Sequence, residues 1–349
     1  MPSFALGARK PAGDPRPARI VRDPDLVRGR LEDAAHFTGG HAEELAAPVS
    51  EAQVADLLRR STSVLPIGAQ SSLTGGATPM GERILSTTRL NRIESIGPDR
   101  VRVQAGVSIA ELDRVLERAG LYYPPGPTFS GAFVGGTIAT NAAGAATFKY
   151  GSTRRSVEAL TVVLPGGDVL DVERGATLAH ADGYFELNLA SGPTRVMVPT
   201  YRMPLLPKLS AGYFAAPGMD LIDLFIGSEG TLGVVTAATL RVLPARPAVC
   251  LAFVPLATRR AALDLVRQLR DAAQATWRSD DPHGMDVAAI EHLDARSLAL
   301  IREDGIDRAN GVRVPKGTEM ASNMGPPDRR SRRRWYHTCH AMFPQAIAA

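Results

Sequence analysis

A run of small residues between positions 124 and 151 constrains this chain more than any other part of it. It begins Pro124-Pro125-Gly126-Pro127-Thr128 and continues Gly135-Gly136-Thr137-Ile138-Ala139-Thr140-Asn141-Ala142-Ala143-Gly144. It closes on Lys149-Tyr150-Gly151. Few surface loops are this long with so few large side chains. A backbone that must lie flat against a planar ligand needs that property. An Ala-rich run also favours a packed helix, and the two readings can coexist. Asn141, Thr128 and Thr140 supply polar groups able to reach ring heteroatoms.

Two further segments share this chemistry. The first is Pro66-Ile67-Gly68-Ala69-Gln70-Ser71-Ser72-Leu73-Thr74-Gly75-Gly76. It follows the short apolar run Val64-Leu65-Pro66-Ile67 and reads as a strand entering a loop. Successive main-chain N–H groups in such a loop can turn inward as an anion nest, and the Ser71, Ser72 and Thr74 hydroxyls add donors. It has no Lys, so it is not a Walker loop, and G-x-G-x-x-G is absent as well. A tight surface loop is the competing reading of this segment alone. The other segment is Gly227-Ser228-Glu229-Gly230-Thr231-Leu232-Gly233-Val234-Val235-Thr236, set between an apolar helix and an apolar strand. Binding turns are commonly placed there.

Ser50 with Gln53, and Ser108 with Glu111, are capping patterns that predict helices from 51 to 60 and from 109 to a stop at Gly120. Residues 100–105 alternate with period two, and 157–172 read as a hairpin around Pro165-Gly166-Gly167-Asp168. A new unit opens near 249 with a strand (250–254), a helix (258–275) and a strand (287–290). Glu291 and Asp294 read as a charged edge or a helix start. Residues 1–30 are rich in Pro, Arg and Asp and read as a loosely ordered arm, with structure beginning near 49. Strands and helices interleave, which predicts an α/β or α+β class.

The 349 residues carry a net charge of +4. Segment 311–349 holds seven basic residues against two acidic ones, so residues 1–310 sum to −1. The basic character therefore belongs to the tail, and a nucleic-acid role through the cluster from Arg329 to Arg334 is not supported by a basic body. Two cysteines, Cys250 and Cys339, exclude a disulfide framework and fit a reducing, cytoplasmic compartment. No run approaches the ~20 apolar residues of a transmembrane helix. His283 and His292 lie nine apart and match no short ligand pattern, and the His337-x-Cys339-His340 cluster sits in an Arg-rich flank, so no metal site is expected.

Taken together, the three small-residue segments resemble the FAD-binding domain of the vanillyl-alcohol-oxidase-like flavoproteins. The branch is that of the D-2-hydroxyacid dehydrogenases, which includes the glycolate oxidase flavin subunit, D-lactate dehydrogenase and D-2-hydroxyglutarate dehydrogenase. The resemblance covers residues 49–244 and continues more weakly to 315. It implies that Pro66, Ile67, Gly68, Ala69, Gln70, Ser71 and Ser72, with Thr74 and Gly75, cradle the FAD pyrophosphate. It places Pro125, Pro127 and Thr128 in a Pro-rich turn. Gly135, Gly136, Thr137, Ile138, Ala139, Thr140 and Asn141, with Gly144, then lie beside the flavin ring. Glu229, Gly230, Thr231, Leu232, Gly233, Val234 and Val235 match the motif that closes over the cofactor. His36, His41, His180 and Cys250 lie outside these motifs, so FAD is expected to bind non-covalently.

The implied fold is α+β: a two-subdomain FAD-binding domain of this type, followed by an incomplete α/β cap domain. The expected divisions are an N-terminal arm (1–48), the FAD-binding domain (49–247), a partial cap (248–315) and an aberrant or disordered basic tail (316–349). The implied reaction is oxidation of a small hydroxy acid of the D-lactate, glycolate or D-2-hydroxyglutarate class, with hydride passing to flavin N5. In relatives a Lys-x-x-x-Gly-Tyr segment borders the active site, which points to Lys208 as a carboxylate anchor, with Arg202 a weaker candidate, and to Tyr213 as a pocket residue. Lys208 and Tyr213 equally fit a solvated surface. The late His-containing motif that supplies the family's base is absent, and a truncated or frameshifted chain with impaired activity is the expectation. Other readings are an FAD-linked oxidase of an alcohol, sugar or lactone, and a flavin-binding subunit inactive without a partner. A homo-oligomer, a peripheral membrane location and an electron acceptor the sequence does not reveal complete the expectations.

Overall fold

A computed structural model of the chain describes residues 5–206, 208–209, 212–244, 252–305, 308 and 318, and the main chain of 320–325. The described chain divides into two compact units. The first holds 1–144 and 151–245; the second holds 145–150 and 246–349.

The first unit contains two sheets that matter for the site. One has four strands in the order Ile20–Val21, Leu45–Ala46, Arg83–Ser86, Val64–Ile67, the last three mutually parallel. Helix Glu51–Arg60 crosses from Leu45–Ala46 to Val64–Ile67. Its start follows from the Ser50 hydroxyl, which accepts from the Gln53 N–H at 3.3 Å, while Gln53 Oε1 accepts from Val49 N–H at 3.0 Å. The Gln53 amide thus ties down the residue before the cap, not the cap itself. Val54, Ala55 and Leu57 on one face of this helix are buried with Ala46, Leu85, Val163 and Val234.

The other sheet is antiparallel, in the order Val169–Glu173, Val157–Val163, Val234–Arg241, Arg100–Gln104, Ile93–Ile96. The expected hairpin is present: Val157–Val163 pairs with Val169–Glu173 across the 164–168 turn. Helix Ile109–Arg118 is capped by Ser108, whose hydroxyl accepts from Glu111 N–H at 3.1 Å, and it ends before Gly120 at φ +70°. Its Ile109, Leu112 and Leu116 pack with Val101, Val103, Leu160 and Leu240 in the largest core.

The loosely ordered arm expected over residues 1–30 is corrected. Ala5–Gly7 is a strand pairing in parallel with Tyr184–Leu189, and Ile20–Val21 belongs to the four-stranded sheet. Arg9 fixes this segment by pairing with Glu51 at 2.7 Å and Asp171 at 2.5 Å. Ionic pairing offsets the low apolar content that prompted the other reading.

The second unit has a three-stranded antiparallel sheet in the order Ala252–Leu256, Met320–Gly325, Ala289–Leu293. Helix Arg259–Ser279, capped by Thr258, buries Ala262, Leu265, Leu269 and Ala273 against Val254, Leu256, Met285 and Val287. Asp294 caps helix Ala295–Glu303, the helix start expected there. Met320–Gly325 was expected to lack structure; it is the middle strand, its main chain paired on both sides. The Arg329 to Arg334 cluster, Cys250, Cys339 and the 337–340 histidines lie outside the described residues.

Candidate functional site

The loop 68–76 leaves the carboxyl end of the parallel strand Val64–Ile67, the end where open α/β sheets present ligands. Among the described residues, the main-chain N–H groups of Ser71, Ser72, Gly75 and Gly76 donate to no other protein group. They are the donors an anion would find. Ser72 Oγ and Thr74 Oγ1 lie 2.9 Å apart, and Thr74 N–H donates to Ser72 Oγ at 3.3 Å. Gln70 stands at φ +52° and Gly75 at φ +79°. Positive φ at two points curls the loop, which is how a nest is made. With no Lys or Arg from 68 to 77, any anion held here is held by main-chain dipoles.

The second segment forms the short helix Val134–Ala139, entered at Phe133. Both readings of this stretch therefore hold: it is helical, and one side of it is open. Val134, Gly135, Thr137 and Ile138 are buried, while Gly136 and Ala139 are half-buried and Thr140 is exposed. A Cβ on Gly135 would lie 2.7 Å from Ala105 Cβ, whereas one on Gly136 would meet nothing within 4 Å. Thr137 Oγ1 donates to Val134 O at 2.9 Å and Thr140 Oγ1 to Gly136 O at 2.9 Å. The expectation that Asn141 hydrogen-bonds a ring is corrected. Asn141 is 4% exposed at φ +46°, its Oδ1 accepts from Arg154 N–H at 3.0 Å, and its Nδ2 donates to Leu209 O at 3.0 Å. Both side-chain groups are committed inside the protein. Pro125 is buried, and Thr128 is exposed. A Cβ on Gly144 would overlap the Gly126 carbonyl, so the Pro-rich turn and the end of the segment touch.

The third segment closes on the other two. Gly227 N–H donates to Ile138 O at 3.0 Å and Glu229 N–H to Ala139 O at 2.8 Å. Gly230 has φ +78°, and a Cβ there would sit 2.7 Å from Pro66 Cγ. A Cβ on Gly76 would lie 3.4 Å from Glu229 Oε2, and one on Gly68 3.4 Å from Phe133 Cβ. Gly233 and Val234 are buried, and Leu232 and Val235 half-buried, where Val234–Arg241 enters the sheet. The three segments, far apart in sequence, thus meet in one place.

Tyr213 joins them. Thr231 Oγ1 donates its proton to Ser228 O at 2.6 Å, so Tyr213 Oη, 2.7 Å from Thr231 Oγ1, is the donor in that pair. Its oxygen keeps lone pairs free to accept. Tyr201 Oη donates to the Tyr213 carbonyl. Lys208 is exposed, next to the Leu209 carbonyl held by Asn141; Arg202 is exposed as well. Ser210 and Ala211 lie outside the described residues.

Sequence reasoning missed Arg154. Its guanidinium donates to Asp223 O at 2.6 Å, Asp223 Oδ1 at 2.8 Å and Ile226 O at 2.5 Å, and lies 4.5 Å over the Phe214 ring. Burial lowers its pKa, opposed by the Asp223 carboxylate. It ties the end of the second segment to the turn before the third. An arginine beside Arg155 carries no local signal of that role. Asp33 also escaped notice, and Gln70 was read only as part of the cofactor loop, because the ties of Asp33 to Ala77 and of Gln70 to Arg30 join residues distant in sequence.

The small-residue loops fit a dinucleotide cofactor: free main-chain donors, no competing cation, and open space at Gly126 and Gly136, where a Cβ would meet nothing within 4 Å. Comparison with known proteins agrees. Residues 42–173 match the FAD binding domain family. The chain is 35% identical over 248 residues to D-lactate dehydrogenase of Anaerostipes hadrus, covering 70% of this chain and 43% of that protein. It is 30% identical over 294 residues to mitochondrial D-2-hydroxyglutarate dehydrogenase of Bos taurus (82% and 46%). To glycolate oxidase subunit GlcD of Bacillus subtilis it is 31% identical over 244 residues (69% and 42%). The chain thus spans less than half the length of these curated relatives. Among solved structures, alkyldihydroxyacetonephosphate synthase superposes with a TM-score of 0.63 at 16% identity, over 93% of this chain and 56% of that one. That likeness shows the fold. No helix among the described residues is long and apolar enough to cross a membrane.

Proposed function

We propose that this chain, whose residues 42–173 match the FAD binding domain family, serves oxidation of a small 2-hydroxy acid of the lactate, glycolate or 2-hydroxyglutarate class. The observation that carries this reading is the meeting of three small-residue segments around unpaired main-chain donors. The relatives' names supply the substrate class.

Bound non-covalently, FAD supplies two-electron oxidising capacity at its ring. The N–H groups of Ser71, Ser72, Gly75 and Gly76 hold the diphosphate. Pro127, Gly136 and Ala139, which are half-buried, would line the ring system, with the buried Pro125 behind them. Glu229 and Gly230 close the loop from the other side. Lys208 pairs with the substrate carboxylate, and Tyr213, its own proton committed to Thr231, accepts a hydrogen bond from the substrate side. A partner chain is the second reading, favoured by the word subunit in the name of one relative. Cysteine usage favours a cytoplasmic location.

Purified protein is expected to be yellow, with a flavin spectrum released on denaturation. A colourless protein that cannot be reconstituted with FAD overturns the reading. With an artificial electron acceptor, D-lactate, glycolate and D-2-hydroxyglutarate are the substrates to compare. Lys208→Met is expected to raise KM for the acid more than it lowers kcat, since a surface cation contributes mainly to ground-state binding. An unchanged KM removes Lys208 from the site.

A further inference from the structure

We propose that residues 30–37, which precede the matched domain, form a clasp that sets the dinucleotide loop in its binding shape, with the Asp33 carboxylate as its positioning group. The inference rests on the flavin-binding reading above and extends the site beyond the segments that carry it.

Asp33 is 3% exposed. Its Oδ1 accepts from Ala35 N–H at 3.0 Å and its Oδ2 from Ala77 N–H at 3.3 Å, while its own N–H donates to Thr78 Oγ1 at 3.3 Å. At the other end of the loop, Ala34 N–H donates to Gln70 O at 2.9 Å. Gln70 Nε2 donates to Arg30 O at 3.0 Å and to Ala77 O at 2.9 Å. Between these ties Phe37 lies against Gly75, where a Cβ would be 3.1 Å from the ring. Residues 70 and 77 are thus both fastened to 30–37. Among the described residues the N–H groups of Ser71, Ser72, Leu73, Gly75 and Gly76 donate to no protein group, and all lie between the two fastenings.

The positive φ of Gln70, +52°, is a conformation L side chains resist. It persists where the surroundings over-determine it, and here the Gln70 carbonyl and side-chain amide are both held. A buried carboxylate that accepts from the main-chain N–H groups of Ala35 and Ala77 has a geometric role. Its charge alone would repel a diphosphate, so a position beside an anion loop makes sense only if the fixed loop shape gains more than the charge loses.

Opposite signs of effect distinguish these two contributions. Titrating the full chain with FAD and following the quenching of flavin fluorescence gives Kd. Hydrogen exchange on the apoprotein reads loop order without FAD. Asp33→Ala is expected to weaken FAD binding by about tenfold or more, the size of one or two lost bonds to a buried carboxylate. It is also expected to speed exchange across 70–77 while strand Val157–Val163 keeps its protection. Asp33→Asn, which retains one acceptor and no charge, is expected to lie between wild type and Asp33→Ala. Phe37→Ala removes a half-exposed ring without emptying a core and is expected to act in the same direction; with Asp33→Asn it carries the test should Asp33→Ala fail to fold. Wild-type Kd and exchange in the folded variants, or tighter FAD binding by Asp33→Asn, overturns the clasp. If the wild-type protein binds no FAD, the proposed function fails, and loop exchange still decides whether 30–37 orders residues 70–77.

Discussion

Gly135 and Gly136 are neighbours in one helix and do opposite things. A side chain at 135 would collide with Ala105, so Gly135 lets the helix seat on strand Arg100–Gln104; at 136 there is open space. Gly135→Ala is therefore expected to destabilise the fold by about 1–3 kcal/mol, the usual cost of overpacking. Gly136→Leu should leave the melting temperature at or above that of wild type, because leucine is a better helix former by roughly 0.8 kcal/mol. Its side chain would fill the space a flavin needs, so FAD is expected to be lost on dialysis. Retention of stoichiometric FAD by Gly136→Leu, read from its absorbance spectrum, removes this helix from the site.

Between elements, the site is held by charge as much as by packing. Arg154, in the turn Thr153–Ser156, and Asp223, in helix Ile222–Phe225, have side chains 17% and 14% exposed. Asp223→Ala leaves a buried guanidinium with carbonyl partners only, and such unpairing costs about 3–5 kcal/mol. Urea unfolding should show the free energy of unfolding falling by that amount; a change under about 1 kcal/mol, the value of an ordinary surface pair, contradicts the reading. The N-terminal tie behaves differently. Burial pushes Asp171 up, but hydrogen bonds from Arg9 and Thr161 outweigh it and hold the carboxyl below its ordinary value. A depressed folded pKa stabilises above the unfolded pKa, and that stability is lost as pH falls through the folded value. Arg9→Met is thus expected to cost about 1 kcal/mol at neutral pH, kept small by solvent at its 37% exposed side chain. The difference from wild type should shrink as pH drops below about 4. A mutant penalty that stays constant down to pH 2 excludes the ion pair as its cause.

These elements also show which parts of the fold could be read before any coordinates. Helix starts at Ser50 and Ser108 were legible because a cap is a local hydrogen bond. Strand Ala5–Gly7 was not, since it is three residues long and its partner Tyr184–Leu189 lies far along the chain. Met320–Gly325 has no β-branched residue, and its strand character comes from flanking strands on both sides. At the site, glycine spacing revealed the loops, but the division of Gly135 from Gly136, and the commitment of Asn141 to Arg154 and Leu209, depend on tertiary neighbours.

For the molecule as a whole, the two compact units each have a hydrophobic core of their own: one centred on residues such as Val103, Leu112 and Leu160, the other on Leu265, Leu269 and Val287. Separate cores are expected to give two calorimetric transitions. The three cofactor segments belong to the first unit, except that residues 145–150 of the second segment fall in the second unit. Ligand linkage raises only the transition that destroys the site. At FAD one hundred times Kd the gain is about 2.7 kcal/mol. For a unit of roughly 150–250 residues that corresponds to a rise of about 5–11 °C. The second transition should stay where it was. FAD moving both transitions equally would show that the second unit unfolds with the flavin site, and FAD moving neither would show that the three segments, though they meet, do not bind it.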